Sequence, residues 1–381
     1  MIWLGAAALL AWLVLLLGRG MFWLCRENDA QAAPELVHWP DVTILVPARD
    51  EAETIATVVQ ALLAQDYPGG LALWVVDDRS GDGTGALARA AAGGDARLRV
   101  VTGRDRPPGW TGKLWALQQG LQAAKPATPY LLFTDADIHH APDSLRRLVA
   151  RAEAGGYALT SLMAKLRCES RAERWFIPAF IYFFQMLYPF RWANDPASRM
   201  AAAAGGCVLL RRADFEAAGG VAAIRGAMID DCTLAASIKR QRPGTRIWLG
   251  LTERVVSLRA CPTIEPIRRM VARTAYAQLR YSPALLLGML LALTLVFLVP
   301  PALTWLGSGW ARLFGLLAWL GMALSVVPVL RFYHLPAWRG LALPVVAIFY
   351  MLFTLDSAIA QHRGQGGMWK GEAGPAPPSP G

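Results

Sequence analysis

Residues 130–137 read YLLFTDAD: an apolar run from Tyr130 to Thr134 leads straight into two carboxylates, Asp135 and Asp137. A short apolar run bounded by polar residues is the pattern of a buried strand. In an open α/β sheet the ligand crevice lies just beyond the carboxyl ends of such strands. The pattern recurs upstream, where Leu71–Val76 precedes Asp77-Asp78 and Val42–Val46 precedes Pro47-Ala48-Arg49-Asp50-Glu51. Downstream, Asp230-Asp231 opens a helical pattern. Asp is common in turns, so one such cluster would carry little. The three aspartate clusters, Asp77-Asp78, Asp135/Asp137 and Asp230-Asp231, in this order predict carboxylates that converge on one crevice.

Working outward, Ala52–Leu63, Ala86–Ala92 and Leu114–Ala124 carry helical spacing between the strand-like runs Val42–Val46, Leu71–Val76, Leu98–Thr102 and Tyr130–Thr134. Pro47 is expected to end the first strand. Alternation of this kind predicts an α/β fold with a mostly parallel sheet and helices on both faces. The second half is less regular. Ala158–Met163 and Cys207–Leu210 read as strands, Asp230–Arg240 as a helix, and Arg246–Leu251 and Val255–Leu258 as two further short strands.

Charge is distributed unevenly. Of 38 Lys and Arg, only Arg312, Arg331, Arg339, Arg363 and Lys370 lie outside residues 19–282, which predicts a water-facing domain there. Residues 1–18 are expected to form an uncleaved transmembrane anchor, because Arg19 and Arg26 follow the apolar run and nothing basic precedes it. Within 283–360, Pro283–Leu306, Phe314–Leu330 and Leu341–Ala360 approach the length needed to cross ~30 Å of hydrocarbon. Arg331 and Arg339 in the second link fit a cytoplasmic side shared with the catalytic domain, as in a multi-pass protein of the cell's inner (plasma) membrane. Residues 361–381 read as a disordered Pro/Gly tail.

Two stretches inside the domain are also expected at the membrane surface. Trp175–Phe190 is apolar and aromatic, interrupted by Pro178 and Pro189, and reads as interfacial, with a core helix as the alternative. Ile264–Tyr281 is basic and amphipathic. The net charge of +10 fits attraction to an anionic phospholipid surface better than nucleic acid. The five cysteines are odd in number and lack CxxC spacing, which suits reduced thiols.

Several residue types at the strand ends suit phosphate chemistry. Asp135 and Asp137 could hold Mg²⁺ or Mn²⁺ against a diphosphate, since hard cations take carboxylates and share phosphate oxygens; a surface Asx-turn is the alternative. Lys113 opens a helix and suits a diphosphate as a point charge, or is an ordinary solvated lysine. Asp77-Asp78 can accept hydrogen bonds from a base or ribose. The Gly81–Thr84 turn resembles a phosphate cradle, though Asp82 and Thr84 suit helix capping as well. His139 and His140 read as polar loop residues. Asp230 and Asp231 suit either capping or proton abstraction from a hydroxyl.

Read together, PARDE, VVDDRSGDGT, GK, TDAD and IDD resemble family 2 glycosyltransferases, the inverting GT-A class, over about Val42–Leu258. The resemblance implies a Rossmann-like GT-A domain that binds a nucleotide-sugar donor through Pro47, Ala48, Glu51, Asp78, Lys113 and Asp135. It implies Asp78 on the base, Asp135 near ribose or metal, Asp137 on Mg²⁺ or Mn²⁺, and Asp231 as catalytic base. Gly205 and Gly206 are similar to the acceptor-side loop, and Asp230, Gln278 and Arg280 fall on the acceptor or diphosphate side. WTGKLWAL, MIDDCTLA and RTAYAQLRYS look most like hopanoid-biosynthesis-associated membrane glycosyltransferases, with a relation to ceramide glucosyltransferases. Processive and ceramide-type members carry Q/R-x-x-R-W. Here Gln278-Leu279-Arg280-Tyr281 is one residue shorter and ends in Tyr, which favours a single transfer to a membrane lipid over polymer synthesis. A polyprenyl-phosphate acceptor and a catalytically idle scaffold of a lipid-pathway complex are the alternatives.

Overall fold

A computed structural model describes residues 1–31 and 34–364. The expected disordered tail, from residue 365 onward, lies outside the described residues. The chain divides into two compact units. One comprises Glu27–Arg167 and Trp192–Ala260; the other comprises Met1–Arg26, Cys168–Arg191 and residues 261–364.

The first unit is built on one sheet. Among the described residues it has eight strands: β1 Val42–Ala48, β2 Leu71–Asp77, β3 Leu98–Thr102, β4 Tyr130–Thr134, β5 Ile138–His140, β6 Leu159–Lys165, β7 Cys207–Arg211 and β8 Ile247–Ser257. Their order is β3-β2-β1-β4-β7-β6-β8-β5. β1 to β4 are parallel, β7 runs antiparallel to both β4 and β6, and β6 pairs parallel with β8. All seven residues of β1 are buried, and they alternate between the two faces. Val42, Ile44 and Val46 pack with Ile55, Val59, Leu148 and Val149 on one side. Leu45 packs with Leu114, Leu117, Leu234 and Ile238 on the other. A strand covered on both faces reads as a continuous apolar run, which is why VTILV shows no alternation.

Pro47 does not end β1. The strand continues through Pro47 and Ala48, which pair with Val76 and Asp77 of β2. Pairing with β4 stops at Leu45↔Phe133, so the chain beyond is an edge on that side and tolerates a missing N–H. The two short strands expected near residue 250 are one strand, β8, eleven residues long, with a register shift where it passes Met163 and Lys165. His140 is no loop residue. It is buried in β5, between the hydroxyls of Thr134 (2.9 Å) and Ser144 (3.3 Å).

The second unit is helical. Ile2–Leu13, extended by a π-turn over Val14–Gly18, packs against later helices: the Trp12 indole N–H donates to the Val296 carbonyl at 2.7 Å. Among the described residues three helical stretches are long and apolar enough to cross a membrane: Pro283–Leu306, Gly309–Phe332 and Ala337–His362. The second is 24 residues long, more than the sequence pattern suggested. The aromatic stretch forms a helix, Arg171–Leu187, opened by a Ser170/Glu173 capping box and running through Pro178 without a break. Proline at that position deprives the Arg174 carbonyl of its helical donor. The Arg339 guanidinium supplies one instead, Nη1 donating at 2.9 Å. Residues 264–281 form two helices, Ile264–Ala272 and Ala275–Gln278.

The helix Gly112–Ala124 lies close on the sheet because Gly120 has no side chain. A Cβ there would stand 2.8 Å from both Leu45 Cδ2 and Val76 Cγ2. Gly120→Val is expected to cost about 1–3 kcal/mol through overpacking, read as a lower unfolding midpoint of the full chain in detergent. An unchanged midpoint would show that the approach is not constrained.

Candidate active site

The carboxyl ends of β1, β2 and β4 lie side by side, and their loops are tied together. The Asp50 N–H donates to Ser80 Oγ (3.0 Å), and Gly81 N–H donates back to Asp50 Oδ1 (2.9 Å). Glu51 N–H donates to Thr84 Oγ1 (2.9 Å), and Ala52 N–H to Asp82 Oδ2 (2.9 Å). Asp82 Oδ1 accepts from both Thr84 N–H (3.0 Å) and Thr84 Oγ1–H (2.6 Å). The Gly81–Thr84 turn therefore uses its polar groups to join two rims, and the helix Thr84–Ala91 that follows starts at Gly83 without a side-chain cap. Beneath it, Asp78 is buried, with Arg49 Nη1 at 3.5 Å from its Oδ2, and its N–H donates to the Ala48 carbonyl (2.8 Å). Gly103 makes room for it, since a Cβ there would come within 2.9 Å of Asp78 Cα.

Across the rim, the sequence's other carboxylates meet a single ammonium. Lys113 projects from the first turn of Gly112–Ala124, a helix capped by Thr111. Its Nζ lies 2.7 Å from Asp135 Oδ1 and 3.5 Å from Asp230 Oδ2, and it donates to the Gly205 carbonyl at 3.5 Å. Asp231 shares the first turn of the helix Asp230–Lys239. Its Oδ2 accepts from Gly205 N–H (2.8 Å) and its Oδ1 from Cys232 N–H (2.7 Å). A Cβ on Gly205 would sit 3.1 Å from Lys113 Nζ and 3.4 Å from Asp231 Oδ2, so glycine allows this convergence. Gly206 lies next to it and accepts from Thr134 Oγ1 through its carbonyl (2.8 Å).

The charges perturb one another. Burial and the neighbouring Asp230 push the Asp231 carboxyl up to about 6, while Lys113 and the two backbone N–H groups pull it down. Asp135 is raised by burial and by Asp137, against the pull of Lys113. Burial would lower the Lys113 ammonium, but Asp135, Asp230 and Asp231 together hold it well above its usual range. A carboxylate that titrates near neutrality is suited to taking a proton.

A second cation completes the rim, and no sequence motif pointed to it. Arg259, just past β8, donates from Nε to Asp137 Oδ2 (2.7 Å) and from Nη2 to Glu51 Oε1 (2.9 Å). Only its position after a strand end could have signalled it.

Among the described residues no group of three or more His, Cys, Asp or Glu could hold a metal by itself. Asp135 and Asp137 present hard oxygen donors that raise each other's need for a cation, and a basic side chain neutralises each. That donor set fits a divalent cation completed by phosphate oxygens and water, the usual manner for Mg²⁺. Pro47 and Ala48 contribute buried backbone to the rim. Gln278 and Arg280 belong to the helical unit, where Tyr188 Oη–H donates to Gln278 Oε1 (2.9 Å).

Residues 43–219 match the model of glycosyl transferase family 2, and the sheet has a mixed α/β, Rossmann-like GT-A fold. Among curated proteins, the chain is similar to the succinoglycan biosynthesis protein ExoO of Rhizobium meliloti, 37% identical over 124 residues, 32% of this chain and 33% of that protein. It is also similar to the beta-monoglucosyldiacylglycerol synthase of Synechocystis, 34% identical over 123 residues, 32% of this chain and 24% of that one. The matched stretches thus span a third or less of these relatives. Among solved structures, the mannosyltransferase PcManGT from Pyrobaculum calidifontis, in complex with GDP-Man and Mn²⁺, aligns with a TM-score of 0.55 at 22% identity. That alignment covers 97% of this chain and 100% of the other, a likeness of fold.

Removing the shared ammonium leaves three acidic groups facing one another. In Lys113→Met the folded state should bind protons more readily than the unfolded chain, so stability should rise as pH falls. The unfolding midpoint is therefore expected to drop more at pH 8 than at pH 5.5, relative to the parent. An equal drop at both would show that the carboxylates are not coupled through Lys113.

Proposed function

We propose that this chain is an inverting glycosyltransferase that moves a sugar from a nucleotide-sugar donor onto a hydroxyl of a membrane lipid, in the biosynthesis of a hopanoid or related glycolipid. The observation that carries the reading is the meeting of Lys113, Asp135, Asp230 and Asp231 around Gly205, beside Asp137, at the carboxyl ends of a GT-A sheet. The family 2 match supports the reaction type. The likeness to a beta-monoglucosyldiacylglycerol synthase supports a lipid acceptor, as do the apolar helices. The WTGKLWAL and MIDDCTLA stretches support the hopanoid branch. The chain is read as a multi-pass protein of the inner (plasma) membrane, its catalytic unit on the cytoplasmic side.

In this mechanism Asp231 accepts the proton of the acceptor hydroxyl while that oxygen attacks the anomeric carbon and the nucleoside diphosphate departs. Two backbone N–H groups hold the Asp231 carboxylate in place, and its pKa near 6 keeps it ionised at neutral pH. Asp78 receives the base, and the rim of Pro47, Ala48 and Glu51 lines the donor. Asp135 and Asp137 would hold Mg²⁺ or Mn²⁺, which when bound neutralises charge on the departing diphosphate. Lys113 supplies a fixed positive charge to the same group. Arg259 must release Asp137 for the cation to bind there, which frees its guanidinium for phosphate.

Asp231→Asn is expected to lower the transfer rate by about 10²–10⁴-fold, with donor binding retained. Since the working form is the carboxylate, the parent's rate should fall as pH drops through about 6. Lipid product formation followed by mass spectrometry checks both, and a variant as active as the parent ends the assignment. For Arg259→Gln, Mn²⁺ alone should bind about tenfold more tightly, because a competing cation has left Asp137. Electron paramagnetic resonance of free Mn²⁺ measures this, and weaker binding would mean that Arg259 does not compete.

A further inference from the structure

In the helical unit, Arg174, Trp175, Pro178, Leu330, Arg339 and Val346 line a crevice that no step of the proposed reaction uses. Arg339 lies in the opening turn, Ala337–Ala342, of the long apolar stretch Ala337–His362, and Arg174 in the first turn of Arg171–Leu187. The Arg339 guanidinium stacks on Trp175, its Cζ 4.3 Å from the ring centroid, and lies 5.7 Å from that of Trp338. The two indoles meet edge to face at 5.9 Å, and Trp338 is 60% exposed.

The charge here is uncompensated. No acidic residue lines the crevice, and neither Arg174 nor Arg339 has an ion pair among the described residues. Arg339 spends Nη1 on the carbonyl that Pro178 leaves bare, but its Nε is enclosed without any acceptor. An enclosed donor on a cation without an acceptor is unfavourable, and two guanidinium groups facing one crevice repel. An anion with several acceptor oxygens placed between the two guanidinium groups relieves their repulsion, and arginine binds phosphate through two donors at once. The remaining wall, made by Pro178, Leu330 and Val346, is apolar. Tryptophan and arginine beside apolar helix ends mark the level of lipid headgroups.

We propose that this crevice binds one anionic glycerophospholipid of the bilayer, its phosphate against Arg174 and Arg339 and its acyl chain along the apolar wall. The site is independent of the sugar chemistry: it requires a membrane, and it would stand even if the transferase reading fell. Its place beside the carbonyl freed by Pro178 couples lipid binding to the integrity of the helix Arg171–Leu187.

The test is native mass spectrometry of the detergent-purified full chain incubated with phosphatidylglycerol or phosphatidylcholine. The parent should retain phosphatidylglycerol in preference to phosphatidylcholine. Arg174→Gln, whose side chain makes no internal bond, should lower that retention about tenfold while leaving the unfolding midpoint unchanged. Arg339→Lys, which keeps the charge but loses the stacked fork, should fall between the two. Donor hydrolysis in lipid-free detergent, read on the same samples, reports the catalytic site separately. Equal retention of both lipids by the parent, or undiminished phosphatidylglycerol retention by Arg174→Gln, would overturn the proposal. So would displacement of the lipid by an equal concentration of inorganic phosphate, which would show a site for the free anion.

Discussion

Most of the candidate site depends on one ammonium group held among aspartates. Lys113 lies within 3.5 Å of carboxylate oxygens from Asp135, just past β4, and from the Asp230 helix, two segments almost a hundred residues apart. Breaking a buried charge set by removing one partner is costly because the remaining charges are left uncompensated. The same enclosure that raises Asp231 and Asp135 also makes Lys113 necessary, so stability and reactivity share one electrostatic origin. Gly205 fits this arrangement, since a Cβ there would crowd the Lys113 ammonium at 3.1 Å and touch the Asp231 carboxylate.

A second balance exists on the other side of the rim. Arg259 spans Asp137 and Glu51, so every carboxylate directed toward the proposed diphosphate already faces a basic group. A donor carrying phosphate and a divalent cation would exchange partners within this set and create no new charge. Sites that swap one pairing for another avoid exposing bare charges during binding. The rim loops suit that exchange because backbone N–H groups and the Asp50, Asp82 and Thr84 side chains tie them together independently of the swap.

The helical unit handles a different problem, a proline inside a packed helix. Pro178 is tolerated because Arg339 restores the lost donor, and tryptophan rings hold that arginine in place. A side chain recruited to mend backbone geometry thus ends up carrying charge beside an apolar wall. In water this would be a minor feature. Next to a bilayer it would serve as the recognition element of the proposed lipid site.

Local pattern was enough to read the parallel half of the sheet, the rim carboxylates and the apolar helices. Strands buried on both faces are continuous apolar runs, and Asp135, Asp137, Asp78 and Asp231 stand directly at their ends or at a helix start. Three features were decided only by the fold. Pro47 stays within β1 because β4 has already turned away, which depends on pairing and not on the residue. His140 is buried because β5 pairs with β8, a partner more than a hundred residues away. Arg259 joins the site because β8 delivers it there, and no motif surrounds it. Sequence determines what a segment prefers by itself; which charges face each other is set by long-range pairing, and the electrostatics of the site follow from those distances.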